Sequence, residues 1–502
     1  VLPVLIKQFL VRSSAILLVK AIGVLAKLPL FRMVGGEGMG LYQIAYSLYG
    51  LLYVLLTGGF STALSIMTAR EYRQGLRMFR FSILLLAPLG AVFGLFVYVN
   101  AAIIADWFGK PELEWAVRCL APAIVIVPLL GVIRGFLQGL QYFGLIAFSE
   151  VLEQCARVGA MLILVAIWIQ QDIALAVGGA TFGAFAGAAV ALLFLSLFLL
   201  AQSGKSEPLG VAPTVSLSEQ PTTLLFLSSS LSILGTRIIY PISDFLNAWI
   251  VPKRLVESGY SGREATAIFG EITGMTVAVV SIPTIITSAL CHILTAHFSA
   301  DWEQKRRADF RQRTRRSLEV VFLWGLGSTL LLFHFAEELS LLVAGNDSLA
   351  KAIRYLAVYP LLIGLRELTT ILLWIMGLQK EPLIASVLGT LSAVAVNYVL
   401  VAVPGFGYAG VAVGILTFEF VVILLNLLQL KKQVKELLVA YSFLRHTVYL
   451  LVGVFLGVVI TDYVFASFAR LSTLLVTGKV MMAGASLVLT LLFAYAKPAA
   501  PK

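Results

Sequence analysis

The sequence predicts an all-α polytopic membrane protein, with about fourteen transmembrane helices in two pseudo-symmetric six-helix lobes plus two C-terminal helices. Three observations predict it. Hydrophobic residues make up 60% of 502 and charged residues only 13%, with a mean hydropathy of +0.95, so too little charge is left to cover a soluble surface. Next, the chain repeats itself: Gly139-Leu140-Gln141 followed by Leu145-Ile146-Ala147 returns 238 residues later as Gly377-Leu378-Gln379 followed by Leu383-Ile384-Ala385. Ser61-Thr62-Ala63-Leu64 has a similar partner 226 residues on, in Thr287-Ser288-Ala289-Leu290. Such duplications in membrane proteins build two facing bundles with a substrate path at their interface. Finally, the apolar runs are continuous and do not alternate with period two, which selects helices over a barrel.

Each span needs about 20 mainly apolar residues to cross the hydrocarbon core. The expected spans are 5–31, 40–69, 78–105, 114–140, 144–170 and 173–202, then 223–252, 265–296, 316–344, 350–378, 382–403 and 407–430, and lastly 444–466 and 474–496. Residues 203–222, rich in Ser, Pro and Gly with no apolar period, read as a cytoplasmic linker. The domain reading is therefore 1–202 for the N-terminal lobe, 223–432 for the C-terminal lobe, and 433–502 for the extra helix pair and tail.

Basic residues orient these spans. Arg70, Arg73, Arg77 and Arg80 follow span 2, and Lys305, Arg306, Arg307, Arg311, Arg313, Arg315 and Arg316 follow span 8. Lys431, Lys432, Lys435 and Arg445 follow span 12, and the tail carries Lys497 and Lys502. With fourteen spans all four groups share one side, which the positive-inside rule makes cytoplasmic, along with both termini. This bias accounts for most of the +11 net charge. No recognition module for nucleic acid accompanies it.

A charge at mid-bilayer costs about 2.5–3.5 kcal/mol, so each needs a partner, a wet cavity or an interface. Arg12, Lys20 and Lys27 point within about 80° of one another on span 1 and form a cationic stripe. One use is the wall of a hydrated cavity holding an anionic headgroup; snorkelling of Arg12 and Lys27 is the other reading. Arg134, Gln138 and Gln141 share a face of span 4 and suit a sugar, a phosphate or a neighbouring helix. Glu153 and Arg157 are four apart on span 5 and pair within the helix. Arg237 and Asp244 flank Pro241, which predicts a bent helix. Asp244, Glu271 and Glu419 are candidates for binding a proton or Na⁺, or else structural acids. The adjacent Arg366 and Glu367 point about 100° apart and serve different neighbours.

No catalytic constellation and no phosphate-binding lysine loop is present, so the chain reads as neither an enzyme nor an ATP motor. Cys119, Cys155 and Cys291 are isolated in apolar sequence, with no metal spacing, and read as buried inert thiols.

Three stretches carry a resemblance: GGEGMGLYQIAY at 35–46, GVIRGFLQGLQY at 131–142, and residues 251–290 from VPKRLVESGY to IPTIITSAL. They resemble the sporulation-type branch of the multidrug/oligosaccharidyl-lipid/polysaccharide flippase superfamily. The segment GGFSTALSIMTAREY at 58–72 is similar to lipid II flippases, whose span 1 arginines fall on Lys20 and Lys27 here. The resemblance implies fourteen helices around a V-shaped cavity. It also implies movement of an undecaprenyl-linked saccharide, a peptidoglycan precursor or related spore-cortex unit, across the bacterial cytoplasmic membrane by alternating access.

On that expectation Arg12, Lys20, Lys27, Arg134, Gln138 and Arg237 bind substrate, and Asp244, Glu271 and Glu419 couple an ion. No cofactor is expected beyond a proton or Na⁺ gradient. The expected partners are the lipid-linked saccharide, membrane lipids and cell-wall synthesis enzymes. The competing readings are a cation-coupled multidrug exporter of the same superfamily and a membrane scaffold without transport.

Overall fold

The structure is a computed structural model that describes residues 2–203, 222–433, 440–466 and 473–495, with side chains from Ser14 onward except at Ile16, Ala296 and a few positions beside each break. Apart from its ends, the expected linker 203–222 lies outside the described residues, as does the tail with Lys497 and Lys502. The described residues form helices and turns, with no strand among them.

The chain packs as two compact units: Val1–Pro252 with Gly262–Gly270, and Lys253–Ser261 with Glu271–Lys502. In the first unit α1 (Leu2–Thr57) carries expected span 1 and the first part of span 2, kinked at Gly35, whose φ of 66° suits a residue without a Cβ. It is followed by α2 (Phe60–Arg70), α3 (Tyr72–Val99), α4 (Ala101–Phe108), α5 (Leu113–Gly139), α6 (Phe143–Trp168) and α7 (Ile173–Ser203). Next come α8 (Thr222–Arg237) and α9 (Ile239–Glu257), then α10 (Gly262–Phe269).

Residues 223–252 were expected in the C-terminal lobe, whereas by packing α8 and α9 as far as Pro252 group with the first unit. The physical reason is a close approach. Gly59 lies against the Ser230 backbone so tightly that a Cβ would collide with it. Phe226 is fully buried and packs edge-on against Phe60 and Phe81. The core there joins Leu64, Met78, Leu86, Val132, Phe136 and Phe226.

The second unit begins with a π-helical turn at Gly270–Thr276 and continues through α11 (Val277–Val280), α12 (Thr284–Glu303) and α13 (Arg307–His334). It goes on with α14 (Ala336–Ala344), α15 (Ala350–Tyr355), α16 (Tyr359–Ile375), α17 (Lys380–Leu400) and α18 (Gly407–Gln433). The added pair, α19 (Ala440–Ala466) and α20 (Thr473–Tyr495), packs on α13 through Leu323, Leu450, Val454 and Leu487.

Among the described residues, nine helices are long and apolar enough to cross a bilayer, and eleven if two bent pairs each count as one span. By length and composition, eleven of the fourteen expected spans are accounted for among the described residues. Expected span 1 lies on α1, span 2 on α1 and α2, and span 10 on α15 and the 17-residue α16, and none of these four helices is among the nine. One bent pair is α8 with α9, at 45°. Pro241 gives the cause, because its ring displaces the carbonyl four residues back, that of Arg237, where α8 ends.

The duplication is visible in the backbone. Helix α5 ends with Gln141 left-handed (φ 64°) and a Tyr142 N–H donated to Leu137. Helix α16 ends with Gly377 left-handed (φ 80°) and a Leu378 N–H donated to Leu373. Gly109 and Gly345 cap α4 and α14 in the same conformation. The capping positions are thus 236 residues apart in both cases, two fewer than the Gly-Leu-Gln match suggested. The arginine-rich stretches at α2–α3 and α12–α13 occupy equivalent places in the two repeats.

Cys291 is buried as expected, Cys119 is half-buried and Cys155 is exposed. The expectation of three buried thiols is corrected at Cys155. That position falls on the face of α6 turned away from the helix's buried residues, Ile146, Ser149 and Met161.

Candidate functional site

Within the first unit a cavity of about 350 Å³ is lined by Tyr49, Tyr53, Ser61, Gly131, Arg134, Gln138, Glu150, Glu153 and Arg157, with Val127 and Leu130. Its size falls in the range of about 300–1,000 Å³ common for small-molecule sites. Helix periodicity supplies its walls. Arg134 and Gln138 are one turn apart on α5, and Glu150, Glu153 and Arg157 are three and four apart on α6.

The electrostatic centre of the cavity is Glu153. Arg134 donates from Nη1 to its Oε2 at 2.7 Å and from Nε to Ser149 Oγ at 3.1 Å. Arg157 donates to the other carboxylate oxygen, Oε1. The pair within α6 is the one read from the sequence, and the link from α5 is new. Arg134 therefore shares its carboxylate with Arg157, and one positive charge of the two is left without an acid in the trio. Arg134 Nη2 and Arg157 Nε are buried without a hydrogen-bond partner among the described residues.

Helix α7 holds α6 in place through small residues. A Cβ on Gly187 would lie 2.5 Å from the Glu153 carbonyl and 2.8 Å from Arg157 Cβ, and one on Gly183 would lie 2.7 Å from the Arg157 carbonyl. Glycine at four-residue spacing lets the two backbones touch where the charged residues are mounted.

Tyr49 and Tyr53 supply the α1 side of the lining and belong to a longer tyrosine row. Tyr42, Tyr46, Tyr49 and Tyr53 follow one another at spacings of four, three and four along α1, with ring centroids 4.4, 5.8 and 6.2 Å apart. None of the four was among the residues expected at the site. Their spacing was the available signal, since it places all four on one helix face.

The remaining expected residues are distributed. Lys27 lies within electrostatic range of Asp244, so its charge has a counterpart. Arg237 donates to Thr62 Oγ1 at 2.9 Å and lies within electrostatic range of Tyr53. Lys20 is exposed. The Arg12 side chain lies outside the described residues. The expected cationic stripe on span 1 is therefore not one uniform surface, because Lys20 is exposed while Lys27 is half-buried beside a carboxylate.

In the second unit Glu419 is buried and accepts a hydrogen bond from Arg366 Nε at 2.5 Å, while Glu367 accepts one from Ser288 Oγ at 2.7 Å. The two adjacent side chains do serve different neighbours. Glu271 is half-buried on the π-helical turn, within electrostatic range of Tyr408, and no ion pair reaches it among the described residues. Single-turn π geometry often marks functional positions. No group of His, Cys, Asp and Glu among the described residues is arranged to hold a metal ion.

Known proteins share this architecture. Stage V sporulation protein B of Bacillus subtilis is 26% identical over 427 residues, covering 84% of this chain and 82% of the relative. Lipid II flippase MurJ of the same organism is 25% identical over 260 residues, 48% of each chain. Among solved structures, lipid II flippase MurJ in an inward closed conformation superposes with a TM-score of 0.72 at 13% identity, covering 97% of this chain and 99% of that one. An inward-facing multidrug resistance MATE family transporter of the MOP superfamily gives 0.67 at 16%, over 86% and 98%. Both show a shared polytopic helical fold. The profile of the polysaccharide biosynthesis protein family matches residues 5–298, more than half of the chain, and this multi-pass membrane protein belongs to that family.

Proposed function

We propose that the chain is a flippase that moves an undecaprenyl-linked saccharide from the inner to the outer leaflet of the bacterial cytoplasmic membrane by alternating access, with both termini cytoplasmic. The cargo class is a peptidoglycan precursor or a related wall or spore-cortex unit. Relatedness to stage V sporulation protein B and to lipid II flippase MurJ supports this reading. The observation that carries it is the cavity of the first unit, where Arg134, Glu153 and Arg157 form one ion-paired cluster with a net positive charge beside Tyr49, Tyr53, Gln138 and Ser61.

Two guanidiniums, two carboxylates, an amide and hydroxyls offer both donors and acceptors, and the tyrosine rings offer flat faces. That mixture fits a hydroxyl-rich saccharide better than a bare cation or an apolar drug. Arg237, near the Tyr53 wall, faces the diphosphate, and Glu271 takes up the coupling proton or cation.

The test is translocation of a lipid-linked saccharide in proteoliposomes. Gln138→Ala and Tyr53→Ala each lower the rate, with one lost hydrogen bond worth about two- to tenfold. Wild-type rates in both variants, with folding unchanged, would remove the cavity from the transport path.

A further inference from the structure

A second cavity, also of about 350 Å³, lies in the other unit between α12 and α13, at their arginine-rich end. It is lined by Asp309, Gln312, Arg313, Arg316, Ser317 and Val320 of α13, and by Leu290 and Leu294 of α12. The α13 residues recur at three- and four-residue spacing, so one helix face builds the wall. From Asp309 to Val320 that face runs about 16 Å, enough to pass from the headgroup layer into the acyl region. The lining is graded along that length. Asp309, Gln312, Arg313 and Arg316 line the end near the α12–α13 turn, and Val320, Leu290 and Leu294 line the deeper end.

The arginines of this end have different partners. Arg306 and Arg313 both reach the buried Asp301, at 3.0 and 2.8 Å. Arg307 stacks on Trp302 with its guanidinium carbon 3.4 Å from the ring centroid. Arg316 has no ion pair among the described residues and is exposed on the cavity wall. Arg313 uses its Nε on Asp301, which anchors the side chain and leaves the Nη groups as donors. A cation held in place by a buried carboxylate, beside an exposed one and above an apolar floor, matches the headgroup phosphate and first acyl carbons of one lipid molecule. Asp309 at the mouth adds an opposing charge and favours a headgroup that also carries hydroxyl donors.

We propose that this cavity is a specific site for an anionic glycerophospholipid, with its phosphate on Arg313 and Arg316 and its acyl chain on Leu290, Leu294 and Val320. A basic surface alone attracts anionic lipid without a shaped site, at about fivefold in affinity per arginine. The apolar floor distinguishes the two, because filling it blocks a seated lipid and leaves surface attraction intact.

Retention of phosphatidylglycerol and of phosphatidylcholine with matched chains is measured on the full chain by native mass spectrometry, for wild type, Arg316→Gln and Val320→Trp. Melting in phosphatidylcholine checks that each variant is folded. Phosphatidylglycerol retention should fall about fivefold in Arg316→Gln, and should also fall in Val320→Trp, whose charge is unchanged. Phosphatidylcholine retention should not move. Full phosphatidylglycerol retention in Val320→Trp would reduce the effect to surface charge and overturn the site. So would stabilisation by inorganic phosphate equal to that by the lipid, which would make it a free-anion site.

Discussion

Arg134 on α5 and Arg157 on α6 share the two oxygens of one carboxylate, Glu153, so a single acid ties two helices at the wall of the first unit's cavity. All three side chains are largely buried, and the cluster carries one positive charge more than its acid can offset. Removing the acid leaves two guanidiniums facing each other in a low-dielectric site. Glu153→Ala is expected to destabilise the protein by about 3–5 kcal/mol, the usual cost of breaking a buried pair from one side. Thermal unfolding in detergent measures it. Adding Arg134→Gln to Glu153→Ala should recover part of the loss, and strict additivity of the two changes would contradict the shared-carboxylate geometry.

Gly187 should tolerate no side chain. Gly187→Leu pushes α7 away from the turn of α6 that carries Glu153 and Arg157. Overpacking of this kind costs about 1–3 kcal/mol. Gly159, which has nothing near its missing Cβ, is the control, and Gly159→Leu should leave the melting temperature nearly unchanged.

Glu271 and Glu419 should separate in function. Glu419 is buried against Arg366, so Glu419→Gln is expected to lower stability while the dependence of transport on a proton or Na⁺ gradient persists. Glu271→Gln is expected to remove that dependence with little loss of stability. Transport under imposed gradients, read beside melting curves, tests both. The reverse pattern would assign the coupling role to the wrong acid.

Lys27 and Asp244 act on each other across α1 and α9. A double-mutant cycle with Lys27→Gln and Asp244→Asn should yield a coupling of about 0.5–3 kcal/mol, as for residues in one interacting pair. A coupling indistinguishable from zero would mean that each charge is solvated independently.

Much of this protein was legible along single helices. The pair Glu153–Arg157 followed from a four-residue spacing, the separate fates of Arg366 and Glu367 from the 100° step, and the break near Arg237 from Pro241. The tyrosine row was equally legible by spacing and was overlooked because aromatic residues on an apolar helix read as ordinary packing. The link from Arg134 to Glu153 was not legible, since the two residues lie on separate helices whose relative rotation no periodicity fixes. The grouping of α8 with the first unit depended likewise on Gly59 meeting Ser230, a contact between segments far apart in the chain.

By itself the sequence determined the class, the duplication and the face on which each charged residue sits, because backbone hydrogen bonding in lipid forces helices and helices have a fixed period. Only the tertiary structure decided which faces meet: that Glu153 answers two arginines, that Lys27 finds Asp244, and that Lys20 is left exposed. Those outcomes depend on the axial shift and rotation between packed helices, which close glycine contacts and buried side-chain volumes set, and which no local pattern encodes.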